Sequence, residues 1–221
     1  MPPRFKAVVF DLDGTLIHSV PDLTVAVNKL LAEEGRPALA DADVGPMVGD
    51  GVGMLVRRAF TAAGGVPEGD LAPYVARFVA HYEPHAADLT RPYPGVIATL
   101  RSLKAKGLKL AVCTNKVSGA TRRILAALEI ERYFDAVVGG DDTPVHKPDP
   151  THVRITLDKL GVSDAETLYV GDSENDVKAA KGAGLPVVLV TFGYTRIPVA
   201  ELGGDLLIDR FQDLPAAMGR L

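Results

Sequence analysis

Short apolar runs of strand length alternate with longer segments of helical periodicity along most of this chain, and no other sequence feature constrains the fold as strongly. The first run, Lys6–Phe10, is apolar on both faces, as a strand covered from both sides must be. Four further runs have the same pattern: Leu108–Thr114, Ala136–Val138, Leu168–Val170 and Val187–Val190. Helical patterns lie between the runs, at Val96–Lys106, Ser118–Leu128, Pro150–Leu160 and Glu174–Ala183. This alternation predicts right-handed crossovers and a parallel sheet with helices on both faces, completed by a late strand near Leu206–Ile208 and a final helix near Gln212–Met218.

The segment from 17 to 91 interrupts the alternation. It shows helical periodicity at Leu23–Glu33, Gly51–Ala63 and Leu71–His81, no convincing strand, and connectors rich in glycine and proline. Because it follows the first strand, we expect it to lie over the carboxyl edge of the sheet, where open α/β sheets bind ligands. The predicted fold class is therefore α/β: a doubly wound, Rossmann-like parallel-sheet core of residues 1–16 and 92–221, with an inserted helical cap domain of residues 17–91.

Composition and charge exclude several classes of protein. Hydrophobic residues make up 47% of the 221 positions, which is typical of an ordinary globular chain and not of a disordered one. The formal net charge is −4 and no run of lysines and arginines occurs, which argues against a nucleic-acid partner. The single cysteine, Cys113, cannot form an internal disulfide, and no window approaches the roughly 18 apolar residues of a membrane span. We therefore expect a cytoplasmic protein without a membrane or nucleic-acid partner, present as a monomer or homodimer.

Two aspartates, Asp11 and Asp13, follow the first predicted strand directly. Aspartate is unfavourable in strands, so a pair at this position requires an explanation. One interpretation is a hairpin in which Asp13-Gly14 forms a type I′ turn. The other is a pair of neighbouring carboxyl groups, one that attacks a substrate and one that transfers a proton.

Polar residues also follow the next strands. Thr114 and Asn115 end the second strong strand, where they could cap the following helix or present a hydroxyl group and backbone N–H groups to an anion. Lys147, in His146-Lys147-Pro148, could be an ordinary solvated lysine or a fixed positive charge close to carboxylates and a phosphate. Taken alone, each segment has an ordinary structural explanation.

A fourth segment adds two more carboxylates, Asp172 and Asp176, which could belong to a helix cap or to a metal site. Because the carboxyl ends of parallel strands meet at one edge of a sheet, the four segments together favour a common site. Mg²⁺ prefers carboxylate and water oxygens and is usually held by one or two carboxylates plus a phosphate. We therefore expect a magnesium site with Asp11 and Asp172 as direct ligands and the backbone carbonyl group of Asp13 as a third.

The ordered set Asp-x-Asp-Gly-Thr, Thr-Asn, Lys-Pro and Gly-Asp-x-x-x-Asp resembles that of the haloacid dehalogenase-like (HAD) hydrolase superfamily, over the whole chain, and the inserted segment resembles its helical type of cap. Further segments are similar to those of phosphoglycolate phosphatases: His18–Leu23, Met47–Gly51, Arg58–Phe60, Tyr93–Val96 and Gly139–Asp142. The resemblance implies a phosphoric monoester hydrolase that uses Mg²⁺ and acts on a small phosphorylated metabolite. It implies 2-phosphoglycolate as the first candidate substrate and an aspartyl-phosphate as the intermediate.

The resemblance also implies a role for each motif residue. Asp11 is expected to be the nucleophile, and Asp13 to protonate the leaving group and later accept a proton from the attacking water. Lys147 is expected to offset negative charge at the reacting centre. Thr114, together with the backbone of Asn115, is expected to hold the phosphoryl oxygens.

The remaining assignments concern the metal and the substrate's tail. The resemblance implies that Asp172 binds magnesium and that Asp176 either lies behind the metal or orients Lys147. The predicted helix Gly51–Ala63 carries Arg57 and Arg58, which could be solvated. If one of them faces the cleft, its guanidinium group suits a small carboxylate such as that of glycolate.

Other functions are open at this point. Within the superfamily, the chain could be a phosphatase for a sugar phosphate, a nucleotide or pyrophosphate, or a phosphotransferase resembling beta-phosphoglucomutase. From another class, a phosphoacceptor signalling module also combines acidic residues, a threonine and a lysine around magnesium on a parallel sheet. A catalytically inactive binding protein could keep the fold. The chain length and the complete set of proposed catalytic residues favour the enzyme.

Overall fold

Eight strands and nine helices are present in the computed structural model, which describes residues 5–221. The strands are β1 (Ala7–Phe10), β2 (Ile17–His18), β3 (Arg91–Pro92), β4 (Lys109–Cys113), β5 (Ala136–Val138), β6 (Thr167–Gly171), β7 (Val187–Val190) and β8 (Leu206–Ile208). Six of them form one sheet in the order β5-β4-β1-β6-β7-β8, and all of its neighbouring pairs are parallel. The predicted doubly wound α/β fold is confirmed. Residues 1–4 of the predicted core lie outside the described residues.

The helices are α1 (Val20–Glu33), α2 (Asp41–Val44), α3 (Val52–Ala62), α4 (Ala72–Tyr82), α5 (Val96–Ala105), α6 (Ser118–Ala127), α7 (Pro150–Leu160), α8 (Glu174–Gly182) and α9 (Leu214–Met218). Most lie within a few residues of their predicted bounds. The largest differences are α1, which begins three residues before the predicted start, and α9, which is preceded by a short 3-10 turn. The four-residue α2 is too short to show a period, so periodicity did not predict it.

Alternate side chains of the central strand enter two separate hydrophobic cores. Val8 and Phe10 of β1 pack on the face covered by α5, α6 and α9. Ala7 and Val9 pack on the opposite face with apolar residues of α7 and α8. Because both faces are covered, all four residues of β1 are apolar and buried, which is the pattern seen in the sequence.

The chain order reverses at β1, which pairs with β4 on one side and with β6 on the other. Ligand-binding crevices form at such a point in open α/β sheets, because successive crossovers leave the central strands in opposite directions. The carboxyl ends of β1, β4 and β6 therefore border one opening, and the residues that follow these strands are brought together there.

The segment from 17 to 91 holds the helices α1–α4, of which α1 and α3 both pack on α4. The expectation that this segment contains no strand is wrong at its two ends, where β2 and β3 form a two-stranded antiparallel ribbon. A pair of two-residue strands carries no periodicity, and it forms here because the departing and returning chains lie side by side. The division into domains at residues 17 and 91 stays a prediction.

Within residues 5–221, no helix combines the length and the apolar character that crossing a membrane requires.

Candidate active site

The residues predicted to act together do meet at the carboxyl edge of the sheet. Asp11 follows β1 and donates its backbone N–H to Val170 of β6, at 2.9 Å. Thr114 follows β4 and donates its backbone N–H to Val138 of β5, at 3.0 Å. These bonds continue the parallel pairing past the ends of the strands, so each side chain leaves the sheet from a fixed backbone. Asp172 directly follows β6 and is buried, and its backbone N–H is donated to the Asp176 carboxylate.

Lys147 is the buried centre of a hydrogen-bond network. Its ammonium group donates to Asp11 Oδ1 at 2.8 Å, to Asp176 Oδ1 at 2.7 Å and to the hydroxyl group of Tyr169 at 2.9 Å. Only 4% of the residue is exposed. Burial opposes the charged form of Lys147, but the carboxylates of Asp11 and Asp176 outweigh it and raise the pKa of the lysine. The solvated interpretation of this lysine is therefore wrong.

Asp176 is held on both of its carboxylate oxygens. Oδ1 accepts from Lys147 and from Tyr169, the latter at 3.0 Å. Oδ2 accepts from the backbone N–H groups of Asp172 and Ser173 and from the Ser173 hydroxyl group, at 3.2, 3.0 and 2.7 Å. Ser173 in turn caps α8, so the capping box expected from the sequence exists beside the charged cluster. With both oxygens engaged by protein donors, Asp176 is placed to orient Lys147.

Asp172 also accepts a hydrogen bond on each of its oxygens, but both donors are uncharged. Thr15 Oγ1 donates to Oδ1 at 3.2 Å, and the backbone N–H of Tyr194 donates to Oδ2 at 2.7 Å. Gly14 packs directly against this carboxylate with a φ of 84°, so a side chain at position 14 would collide with Asp172. The Asp13-Gly14 pair belongs to a loop that approaches Asp172. The hairpin interpretation is wrong, because β1 pairs with β4 and β6 while β2 pairs with β3.

The buried acidic cluster has an excess of negative charge. Asp11, Asp172 and Asp176 each offer an oxygen within 4.8 Å of the others, and among residues 5–221 Lys147 is the cation that forms ion pairs with this cluster. Burial, followed by the repulsion of neighbouring carboxylates, raises the pKa of Asp172 well above its usual value. Burial likewise raises the pKa of Asp11 to about 7, against the opposing effect of Lys147. Three carboxylates and one ammonium group leave two uncompensated charges, which a divalent cation would neutralise.

Asp13 contacts a cation that the sequence analysis did not identify. Lys116 Nζ lies 3.1 and 3.0 Å from the two carboxylate oxygens of Asp13 and 4.7 Å from the centre of the Tyr82 ring. Both partners of the ion pair are largely buried. Burial disfavours the charged lysine, but Asp13 and Tyr82 outweigh this effect and raise the pKa of Lys116. Lys116 directly follows Thr114-Asn115, and that position was the available signal in the sequence.

Asn115 connects three parts of the site. Its side-chain amide donates to the backbone carbonyl groups of Gly49 and Lys147, both at 2.9 Å, and its Oδ1 accepts from the backbone N–H of Lys147, also at 2.9 Å. Gly49 belongs to the segment from 17 to 91, so Asn115 joins that segment to the sheet edge. The Thr114 hydroxyl group accepts the backbone N–H of Lys116 at 3.2 Å, but Val117 is the N-cap of α6, so the interpretation of Thr114 and Asn115 as caps of this helix is wrong.

A cavity of about 70 Å³ lies between the sheet edge and the inserted helices. Its floor includes Asp11, Asp13, Thr114, Lys147 and Asp172. The inserted segment contributes mainly apolar side chains: Leu23, Val48, Val52, Leu55, Phe78 and Val79.

Neither arginine of the predicted helix lines this cavity. Arg57 is exposed. Arg58 donates to the carbonyl group of Met47 at 2.8 Å and forms an ion pair with Asp50. The proposed binding of a substrate carboxylate by one of them stays a prediction that this arrangement does not support.

The chain is similar to proteins of one hydrolase family. The family model of the haloacid dehalogenase-like hydrolases matches residues 8–190. A phosphoglycolate phosphatase of Rhodospirillum rubrum is 48% identical over 220 residues, which cover 97% of this chain and 91% of the relative. A phosphoglycolate phosphatase of Cereibacter sphaeroides is 45% identical over 215 residues, which cover 97% of this chain and 98% of the relative.

The fold is similar to that of solved structures over the same extent. A crystal structure of a predicted phosphoglycolate phosphatase from Haemophilus somnus superposes with a TM-score of 0.92 at 35% identity. The superposition covers 98% of this chain and 99% of that one. Similarity in sequence and in structure therefore extends over both the sheet and the inserted helices.

Proposed function

The chain belongs to the haloacid dehalogenase-like hydrolases, and from this premise we propose that it is a magnesium-dependent phosphatase that hydrolyses 2-phosphoglycolate through an aspartyl-phosphate. The observation that carries the proposal is the buried arrangement of Asp11, Lys147 and Asp172 on the floor of a small cavity. The similarity to phosphoglycolate phosphatases supports the substrate.

The proposed reaction begins at Asp11. Lys147 holds one carboxylate oxygen of Asp11, which keeps the nucleophile in one orientation on the cavity floor. A carboxylate oxygen attacks phosphorus, the bond from phosphorus to the leaving oxygen breaks, and Asp13 supplies the proton that this oxygen takes up. Water then attacks the aspartyl-phosphate, Asp13 accepts its proton, and phosphate leaves with the Asp11 carboxylate restored. Thr114 and the backbone of Asn115 hold the phosphoryl oxygens.

The residues present fit a magnesium ion. Asp11 and Asp172, with the backbone carbonyl group of Asp13, would hold it, because these are the hard oxygen donors that Mg²⁺ prefers. Asp176 would act through Lys147 and the backbone of Asp172, since its oxygens are engaged by protein donors. The ion would supply positive charge that offsets the negative charge of the phosphoryl group.

The cavity favours a small substrate. Its volume of about 70 Å³ is well below the roughly 300–1,000 Å³ of sites for drug-sized ligands. The largely apolar surface of the inserted segment offers few hydrogen-bond partners for the hydroxyl groups of a sugar phosphate. Both features support 2-phosphoglycolate over sugar phosphates and nucleotides. Cytoplasmic location and a monomeric or homodimeric state stay predictions.

Turnover of 2-phosphoglycolate and of p-nitrophenyl phosphate tests the proposal. The wild-type protein should hydrolyse both with Mg²⁺, and a chelator should abolish the activity until Mg²⁺ is restored. Asp11→Asn should lower kcat at least about 1,000-fold, because the neutral amide is a poor nucleophile. Asp158→Asn removes an exposed carboxylate of α7 and should leave the rates unchanged.

Two results would contradict the proposal. Full turnover by Asp11→Asn would show that Asp11 is not the nucleophile. Accumulation of a stable, stoichiometric phosphoprotein without turnover would favour the signalling alternative.

A further inference from the structure

The cavity contains one cation whose role the proposed mechanism does not explain. Among the described residues that line it, the lysines and arginines are Lys147 and Lys116. Lys147 is engaged by Asp11, Asp176 and Tyr169, so its donors are committed. Lys116 is paired with the carboxylate of Asp13, and its other neighbour in the cavity lining is the uncharged side chain of Tyr82, whose ring centre lies 4.7 Å from Nζ.

The inserted segment supplies no competing cation to the cavity among the described residues. Its lining side chains are apolar apart from those of Tyr82 and Glu83, and Glu83 is acidic. Arg58 is paired with Asp50 and Arg57 is exposed, so neither provides positive charge to the cavity. A substrate that carries a negative group besides its phosphate therefore has one available cationic partner in the lining, Lys116.

The position of Lys116 suits that partner. It directly follows Thr114 and Asn115, which are assigned to the phosphoryl oxygens, and it contacts Asp13, which is assigned to the proton transfer. The ammonium group therefore lies beside the reacting centre, within reach of a tail only a few atoms long. Its side chain is 6% exposed, so an ion pair formed there is little weakened by solvent.

We propose that Lys116 selects substrates that carry a second anionic group, by exchanging its ion pair with Asp13 for one with the substrate's carboxylate. This inference rests on the proposed phosphatase function and specifies the chemistry of the substrate's tail. The exchange keeps the buried ammonium group paired and releases the Asp13 carboxyl group to face the leaving oxygen. A substrate with an uncharged tail offers no such partner, so Asp13 stays held by Lys116. Discrimination is therefore expected in kcat as well as in KM.

Two substrates of matched size separate the contribution of the tail's carboxylate from that of its length. 2-Phosphoglycolate and 2-hydroxyethyl phosphate have tails of similar length, but only the first ends in a carboxylate. The wild-type protein should prefer 2-phosphoglycolate in kcat/KM. In Lys116→Met, the ratio of the two kcat/KM values should fall roughly 10- to 100-fold, the range expected for one buried charge-assisted hydrogen bond. Lys116→Arg keeps the charge and should retain most of the preference.

The controls separate the effect of losing Lys116 from the effects of misfolding and of a change in net charge. Lys106→Met makes the same charge change at an exposed residue after α5 and should leave the ratio unchanged. Because the ratio is taken within one preparation, a loss of folded protein cancels from it. If Lys116→Met does not fold, Lys116→Gln is measured in its place, and the wild-type preference is a separate test in itself.

The outcomes distinguish a failure of the proposed phosphatase function from a failure of the proposed role of Lys116. If the wild-type protein hydrolyses neither monoester, the proposed function fails, and this inference fails with it. If the wild-type protein hydrolyses both without preferring 2-phosphoglycolate, the inference alone is overturned. An unchanged ratio in the Lys116 variants, with activity retained, also overturns it and leaves the phosphatase function standing.

Discussion

Buried charged side chains interact strongly in the candidate site, because charge that is removed from water is little screened over short distances. Lys147 is the clearest example, since it contacts two carboxylates and a phenol while almost completely buried. Removing such a lysine would leave buried carboxylates unpaired, which is far more costly than losing an exposed ion pair. Its proposed role in the active site and its contribution to stability therefore depend on the same contacts.

His152 of α7 provides a prediction about pH. Burial, with a further contribution from the charge of Lys147, lowers the pKa of His152 to about 4, while an unfolded histidine titrates near 6.5. Between these values the unfolded state binds the proton and the folded state does not. The free energy of unfolding should therefore decrease as the pH falls from about 6.5 to about 4. Above pH 6.5 this residue contributes no pH dependence.

Urea denaturation across this pH range measures the effect. His152→Gln removes the titrating group, so its unfolding free energy should fall less steeply than that of the wild type, by up to about 1.4 kcal/mol per pH unit. His85→Gln replaces an exposed histidine that pairs with Asp88 and serves as the control. Parallel curves for the wild type and His152→Gln would show that His152 does not titrate in this way.

At the scale of elements, one carboxylate joins the two segments of the chain that connect the inserted helices to the sheet. Asp22, in the first turn of α1, accepts from the backbone N–H groups of Leu89 and Thr90 at 3.0 and 2.7 Å, and from the Thr90 hydroxyl group at 2.7 Å. Leu89 and Thr90 directly precede β3. The start of the insertion is therefore tied to its end by one buried side chain.

Asp22→Ala should destabilise the protein by about 2–4 kcal/mol, because it leaves buried donors without an acceptor. Asp41→Ala changes an exposed aspartate at the start of α2 and should stay within about 0.5 kcal/mol of the wild type. Chemical denaturation of the three proteins at neutral pH decides the matter. A loss below about 1 kcal/mol in Asp22→Ala would mean that water replaces the carboxylate at little cost.

Across the whole molecule, a loop of the insertion is attached to the sheet edge by polar contacts. Asn115 and Asn175 both donate to the carbonyl group of Gly49, and Asn175 also donates to the carboxylate of Asp50 at 2.5 Å. Arg196, from the segment after β7, forms an ion pair with the same carboxylate. The loop therefore covers the cavity through contacts to three separate parts of the core.

Asp50→Ala should loosen this attachment. We expect amide hydrogen exchange of residues 48–51 to be roughly 5- to 30-fold faster, because partly exposed charge-assisted hydrogen bonds together contribute about 1–2 kcal/mol. Asp88→Ala is the control, because it removes an exposed carboxylate whose ion-pair partner, His85, belongs to the insertion itself. Exchange rates that agree between Asp50→Ala and Asp88→Ala would show that Asp50 does not hold the loop.

The sequence determined the architecture and the outline of the site because both depend on local patterns. Apolar strands such as Val187–Val190 and helices such as Pro150–Leu160 lie where period and length predict them. The handedness of crossovers then requires the strand ends to share one edge, and this brings Asp11, Lys147 and Asp172 together. No knowledge of individual contacts is needed for that conclusion.

Only the tertiary structure decided which charges pair. Lys116 and Asp13 are 103 residues apart in the chain, and Arg196 and Asp50 are 146 apart. Such pairs depend on the angle at which each side chain leaves its element and on the packing of the insertion over the sheet, neither of which has a local signature. For the same reason Arg58, which resembled a substrate-binding residue in sequence, is engaged by Asp50 in the folded protein.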